Sequence, residues 1–267
     1  MRANSSTVAK ISVAGFAFLA GITFILVCVY AIIPGMINNA ASKMDHRFAQ
    51  TMYEKTLRHQ SPAATVQPVF EQPDGTLAPP EPRLCFSSVL DDNPDVVGRI
   101  SITPLGIAYL VTQSGDNAHY LVTGYDGTES AGGTIFLDYR CDAHAQPLSG
   151  HYIIYGHNMK NGTMFHNLTE YKKPDVFDDC RVIRFDTLYE DLEWEVFSAY
   201  VSDTNFYFID TDFADKQEWC NFLDTIQLKS MFEKDVSLSS DDVILTLVTC
   251  SYEFDDARFV VHARLIS

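Results

Sequence analysis

Residues 246–265, TLVTCSYEFDDARFVVHARL, read as a strand, a polar turn and a returning strand. Thr246-Leu247-Val248-Thr249 is a β-branched, largely apolar run that ends on Cys250, and the return begins at Arg258. Working outward, similar runs recur as GRISI (98–102), IAYLVT (107–112), HYLVTGY (119–125), TIFLDYR (134–140), HYIIYGHN (151–158), VIRFDT (182–187) and LEWEVFSAYV (192–201). Gly, Asp, Asn and Pro separate them, which is the punctuation of strands and turns. The pattern predicts a mainly β domain over residues 94–267, of the closed-barrel kind.

Two stretches break the rhythm. Residues 161–173 are short and mixed, whereas Asp212 to Phe232 sets Trp219, Phe222, Leu223 and Ile226 at helical spacing, with Asp212 available as the N-cap. A helix is therefore expected between the last two strand pairs. Ahead of the β domain, residues 34–93 read as a juxtamembrane helix, Met36 to Arg58, and a linker whose Pro62, Pro68, Pro73, Pro79, Pro80 and Pro82 forbid a continuous helix.

Residues 11–33, ISVAGFAFLAGITFILVCVYAII, carry no charge, and about 20 apolar residues are what a helix needs to cross a bilayer. The run exceeds the roughly 7–15 residues of a signal-peptide core. A transmembrane helix is thus expected over 11–33, with residues 1–10 as a cytosolic tail and membrane lipid as a partner. That reading implies a single-pass cell-membrane localisation with the C-terminal domain extracellular.

The formal net charge of −16 argues against a nucleic-acid partner, because binding phosphates requires a concentrated basic surface. Six cysteines occur, at 28, 85, 141, 180, 220 and 250, none with the CxxC spacing of zinc or redox sites. Cys141, Cys180 and Cys220 read as small buried hydrophobes; a disulfide among Cys85, Cys141, Cys180 and Cys220 stays open at this level. Neither a metal nor an organic cofactor is expected, since His144, His151, His157 and His166 lack metal-ligand spacing and the acidic runs lack a calcium-loop pattern.

Cys250 is the residue with chemical promise. A thiol at a strand's end is rigidly held yet open to a groove, and a cation on the adjoining strand, Arg258, can favour its thiolate or stabilise negative charge on a substrate. The plainer alternative is a core cysteine, with Arg258 paired to Asp255 or Asp256. His157, in Tyr155-Gly156-His157-Asn158, closes an apolar strand beside a glycine and can exchange protons near neutral pH. Spacing alone does not bring it to Cys250, and a surface histidine is the competing reading.

YGHNMKNGTMF (155–165) together with TLVTCSYEFDDARFVVHARL (246–265) resembles the class B sortases of Gram-positive bacteria, the clostridial-type ones in the short interval between Cys250 and Arg258. GGTIFLDYR (132–140) adds to the resemblance, which spans most of residues 95–267. It implies an eight-stranded sortase-type β-barrel with peripheral helices. It also implies a catalytic set of Cys250, His157 and Arg258, with Thr249, Ser251, Asn158 and Tyr155 as candidate groove residues. The implied reaction is transpeptidation through a thioacyl-enzyme. An exported protein bearing a C-terminal sorting pentapeptide, of the kind Asn-Pro-x-Thr-x or a Ser/Pro-x-Thr-Gly variant, is cleaved after threonine and passed to a peptidoglycan-precursor amine or a pilin lysine. A membrane-tethered cysteine hydrolase and a non-catalytic binding barrel are the rival readings.

Overall fold

Alternation decides which side chains these strands bury, and the strands close on themselves. A computed structural model of the chain describes residues 43, 44, 46–58, 80–203, 205–233 and 235–267, and Lys43–Ser267 form one compact unit. Among these residues the strands are β1 (Val96–Ile102), β2 (Ile107–Thr112), β3 (Phe136–Leu137), β4 (His151–Tyr155), β5 (Val182–Thr187), β6 (Glu193–Ser202), β7 (Ile244–Cys250) and β8 (Arg258–Leu265). They form a closed barrel in the order β1-β2-β3-β4-β7-β8-β6-β5, so the sheet has no free edge to template aggregation.

The pairing that positions the site is β4 with β7, which run parallel with Tyr155 beside Val248. β7 and β8 form an antiparallel pair that sets Cys250 directly across from Arg258. Leu245 and Leu247 of β7, Tyr152 and Ile154 of β4, and Phe259 and Val261 of β8 fill the barrel interior. The intervening residues face outward, where helix α5 (Lys216–Leu228) and the connection before it cover part of the sheet.

The segment before β1 is part of this unit. Helix α1, over 46–58, buries Met52 in a cluster with Phe86, Val89, Val96 and Leu110. Its buried Thr56 hydroxyl accepts from Arg99 Nη1 at 3.1 Å, and Arg99 in turn pairs with Asp186 at 2.8 Å. Helix α2 (Ser87–Asp92) adds Val89 to the same cluster, and helix α4 (Pro174–Asp179) buries Phe177 in the main core.

Three expectations need correcting. HYLVTGY forms no strand: helix α3 (His119–Val122) begins there, because the Asp116 carboxylate accepts from the backbone N–H groups of Ala118 and His119, both at 2.8 Å, and turns the chain. The N-cap of α5 is Asp215, not Asp212; its carboxylate accepts from Gln217 N and Glu218 N at 2.9 Å.

The largest correction concerns the membrane. The transmembrane helix, its lipid contact and the single-pass cell-membrane localisation are not supported, because no helix among the described residues is long and apolar enough to cross a membrane. The 13 residues of α5 span about 20 Å, against a hydrocarbon core of about 30 Å. The run 11–33 and the tail 1–10 lie outside the described residues, as do most of the linker prolines. Nothing in the chemistry below rests on an anchor. Among the described cysteines, Cys85, Cys141, Cys180, Cys220 and Cys250 are all free thiols.

Candidate active site

Four outward-facing rows cross β7 and β8, at Ile244, Thr246, Val248 and Cys250, and the last of them lies just past the end of β4. Parallel register places Tyr155 beside Val248, so two residues further along both chains His157 arrives beside Cys250. The ladder does not simply stop there: Gly156 N donates to Val248 O at 3.1 Å and the Thr249 hydroxyl donates to Gly156 O at 2.8 Å. A glycine is required at 156, since a β-carbon would overlap the side chains of Ile135 and Phe165. On the other side of β7, Arg258 faces Cys250 across the antiparallel ladder. The nucleophile candidate thus has the imidazole on one flank and the guanidinium on the other.

The His157 ring lies within hydrogen-bonding reach of the Cys250 side chain. His157 Nε2 also lies 2.8 Å from Leu121 O. A carbonyl only accepts, so Nε2 carries a proton and Nδ1 is the nitrogen left to exchange one. The hydrogen bond to Cys250 raises the affinity of His157 for its second proton, burial opposes this, and the Leu121 carbonyl assists it. Reciprocally, the His157 bond draws the Cys250 thiol below its ordinary range, against the effect of burial and with further help from the Arg258 charge. Both directions favour a thiolate beside an imidazolium.

Arg258 is half-buried and donates Nη1 to Ala257 O at 3.1 Å. Among the described residues it has no carboxylate partner, so the pairing with Asp255 or Asp256 that would have made it a surface ornament is not formed. The N–H of Ser251, next after Cys250, donates to Ala257 O at 2.9 Å and is already engaged.

The residues expected to line a groove divide into two groups. Asn158 and Ser251 line a cavity of about 410 Å³ together with Lys160, His166, Lys172 and Tyr252. Asn158 Nδ2 donates to Cys250 O at 2.8 Å, tying the segment after β4 to the end of β7, while its Oδ1 meets His166 Nδ1 at 2.8 Å. Thr249 is buried and spends its hydroxyl on Gly156, and Tyr155 donates its hydroxyl to Asp138 at 2.9 Å. Both act inside the scaffold.

Sequence reading missed Lys172, which donates to Ser251 Oγ at 2.8 Å and pairs with Glu253 at 2.5 Å, clamping the turn after Cys250. Burial would raise Glu253, but the Lys172 and Ser251 hydrogen bonds bring it down to about 2. It also missed the Leu121 carbonyl, which a backbone role hides from any reading of side chains.

Known proteins resemble this chain over the same region. A family model described as Sortase domain matches residues 100–266. Sortase B of Staphylococcus aureus is 34% identical over 183 residues, covering 68% of this chain and 74% of that protein. Sortase B of Listeria monocytogenes is 33% identical over 177 residues, covering 66% and 71%. Among solved structures, a Bacillus anthracis protein described as similar to sortase B is 36% identical with a TM-score of 0.69, covering 84% of this chain and 95% of that one. With a family match and relatives that span the barrel bearing Cys250, the chain belongs to the sortase B family and is a cysteine transpeptidase that acts on a sorting signal.

Proposed function

We propose that Cys250 is the nucleophile of this transpeptidase, His157 its acid/base partner and Arg258 the cation that stabilises the reacting carbonyl. The observation that carries the reading is the placement of Cys250 between His157, within hydrogen-bonding reach, and Arg258, directly across the ladder. The Cys250 sulfur attacks the carbonyl carbon of threonine in the sorting signal, and negative charge gathers on the carbonyl oxygen. Because the Ser251 N–H is committed to Ala257, the oxyanion falls to the guanidinium; a donor of this kind is typically worth about 2.7–4 kcal/mol of transition-state stabilisation. The C–N bond then breaks, the imidazolium of His157 gives its proton to the leaving amine, and a thioester remains on Cys250.

In the second half an acceptor amine attacks the thioester carbonyl, His157 takes the proton from the amine, and the Cys250 sulfur departs. The acceptor is a peptidoglycan-precursor amine or a pilin lysine. Water is the competing nucleophile.

The test uses the full-length chain, because α1 contributes Met52 and Thr56 to the folded unit and a truncation at Pro82 would remove them. It is incubated with internally quenched Asn-Pro-x-Thr-x and Pro-x-Thr-Gly peptides, with and without a glycine peptide as amine. Cleavage that requires Cys250, with an acceptor-linked product by mass, is expected. Acid product alone would make the enzyme a hydrolase, and cleavage by the Cys250→Ala variant would remove Cys250 from the mechanism.

A further inference from the structure

GGTIFLDYR (132–140) ends in an Asp-x-Arg that the reaction leaves unused. Asp138 follows β3 and has no exposed surface. Its Oδ1 accepts from Arg140 N at 3.0 Å and Arg140 Nε at 2.8 Å. Its Oδ2 accepts from Arg140 Nη2 at 2.7 Å, Asn117 Nδ2 at 2.9 Å and the Tyr155 hydroxyl at 2.9 Å. A buried carboxylate so fully bonded has one allowed position, and a guanidinium locked to it by two parallel bonds inherits that rigidity.

The remaining donors of Arg140 cross to the connection between β6 and α5. Nη1 donates to the Tyr207 hydroxyl at 3.1 Å and Nη2 to Ile209 O at 2.9 Å. This connection buries Phe208 in one cluster with Ile153, Val248 and Val260. Val248 and Val260 form the row immediately below Cys250 and Arg258 on the outward face. The connection is therefore a wall that ends one row short of the nucleophile, and a peptide laid along that face toward Cys250 runs against it. Tyr207 stands at its rim, 59% exposed. At the other end of the ion pair, Tyr155 sits two residues before His157.

We infer that Asp138 and Arg140 are positioning residues for substrate recognition: they fix the Tyr207–Ile209 wall against the strand that carries His157, and so set affinity and selectivity for the sorting signal. The inference rests on Cys250 being the nucleophile. A buried ion pair adds little net stability over an apolar replacement, but it holds one geometry, which is what a recognition wall needs. Lysine cannot replace Arg140, because a single ammonium cannot fork onto Asp138 and reach Tyr207 and Ile209 as well.

The test measures steady-state kinetics of the full-length chain on the quenched pentapeptide panel, alongside the rate at which iodoacetamide alkylates Cys250. Arg140→Lys and Arg140→Gln should each raise KM about tenfold, with kcat and the alkylation rate within about twofold of wild type. Tyr207→Phe, which removes one hydroxyl at the rim and leaves the core intact, should raise KM about threefold and reorder the preferred peptides. Should the Arg140 variants fail to fold by circular dichroism, Tyr207→Phe decides the matter alone. An unchanged KM and peptide ranking would overturn the inference, as would kcat and alkylation falling together, because the pair would then serve the thiol and not the wall. Cleavage by Cys250→Ala is the separate sign that the nucleophile assignment has failed.

Discussion

Two histidines leave the same stretch of chain and meet opposite fates. His157 lies at the open end of the β4–β7–β8 face, within hydrogen-bonding reach of the Cys250 thiol. His151, at the other end of β4, lies beneath α5 against Phe222, with ring centroids 5.3 Å apart. Its Nδ1 donates to Asp210 O at 2.7 Å, which leaves Nε2 to accept from the Thr246 hydroxyl at 2.6 Å. Thr246 in turn meets His262 Nδ1 at 2.7 Å, and His262 Nε2 meets the Tyr200 hydroxyl at 2.9 Å. Cys250 and Thr246 share one face of β7, as Arg258 and His262 share one face of β8. The covering element, and not the residue type, separates a reactive site from a satisfied core network: burial brings His151 down to about 4, while the thiol partner raises His157.

The comparison breaks most visibly at the thiol. Cys250→Ala should abolish acyl transfer, by at least about 10³-fold in kcat/KM on quenched peptides, while leaving the urea midpoint essentially unchanged. His157→Ala should cost about 10²–10⁴-fold by the same assay, the usual worth of a positioned acid/base. If His151→Ala were as damaging to the chemistry while leaving stability intact, the contrast would be misdrawn.

Acid should separate the two histidines by sign. His151 has a folded value below its unfolded one, so its contribution to stability is fully present above about pH 6.5 and is lost as pH falls toward 4. That loss amounts to about 3 kcal/mol by pH 4, and His262, also held well below its ordinary value by burial, adds in the same direction. His157 runs the other way: its contribution is present at low pH and is lost as pH rises through its elevated folded value. Urea unfolding between pH 7 and pH 4.5 measures the first effect, which should be diminished in a His151→Phe variant.

A smaller effect sharpens the inert side. Thr246→Val leaves His151 Nε2 and His262 Nδ1 without their shared partner and should cost about 1–3 kcal/mol of stability, with the alkylation rate of Cys250 unchanged. A loss of thiol reactivity in that variant would mean that the buried chain feeds the site after all.

The sequence made β7, the turn and β8 readable because their pairing is local: Cys250 and Arg258 are joined by a short turn, so strand periodicity alone sets them across from one another. His157 was a candidate only by type. What brings it to Cys250 is the parallel β4–β7 pairing, a contact between residues more than 90 apart that no local pattern encodes. HYLVTGY misled for the converse reason: its β-branched and aromatic composition says strand, but the Asp116 side chain supplies the competing local bonds that start a turn of helix. Asp138 and Arg140 were visible only as part of a resembling motif, since nothing in a strand-like run signals that its charges will be buried together.

The pairing of thiol and imidazole is tested most directly by the pH dependence of Cys250 alkylation by iodoacetamide in wild type and His157→Ala. The paired thiol predicts a wild-type inflection below the ordinary thiol range, shifted upward in His157→Ala because burial then acts with less opposition. Identical inflections in the two proteins would contradict it, and Cys250 and His157 would then be neighbours without being partners.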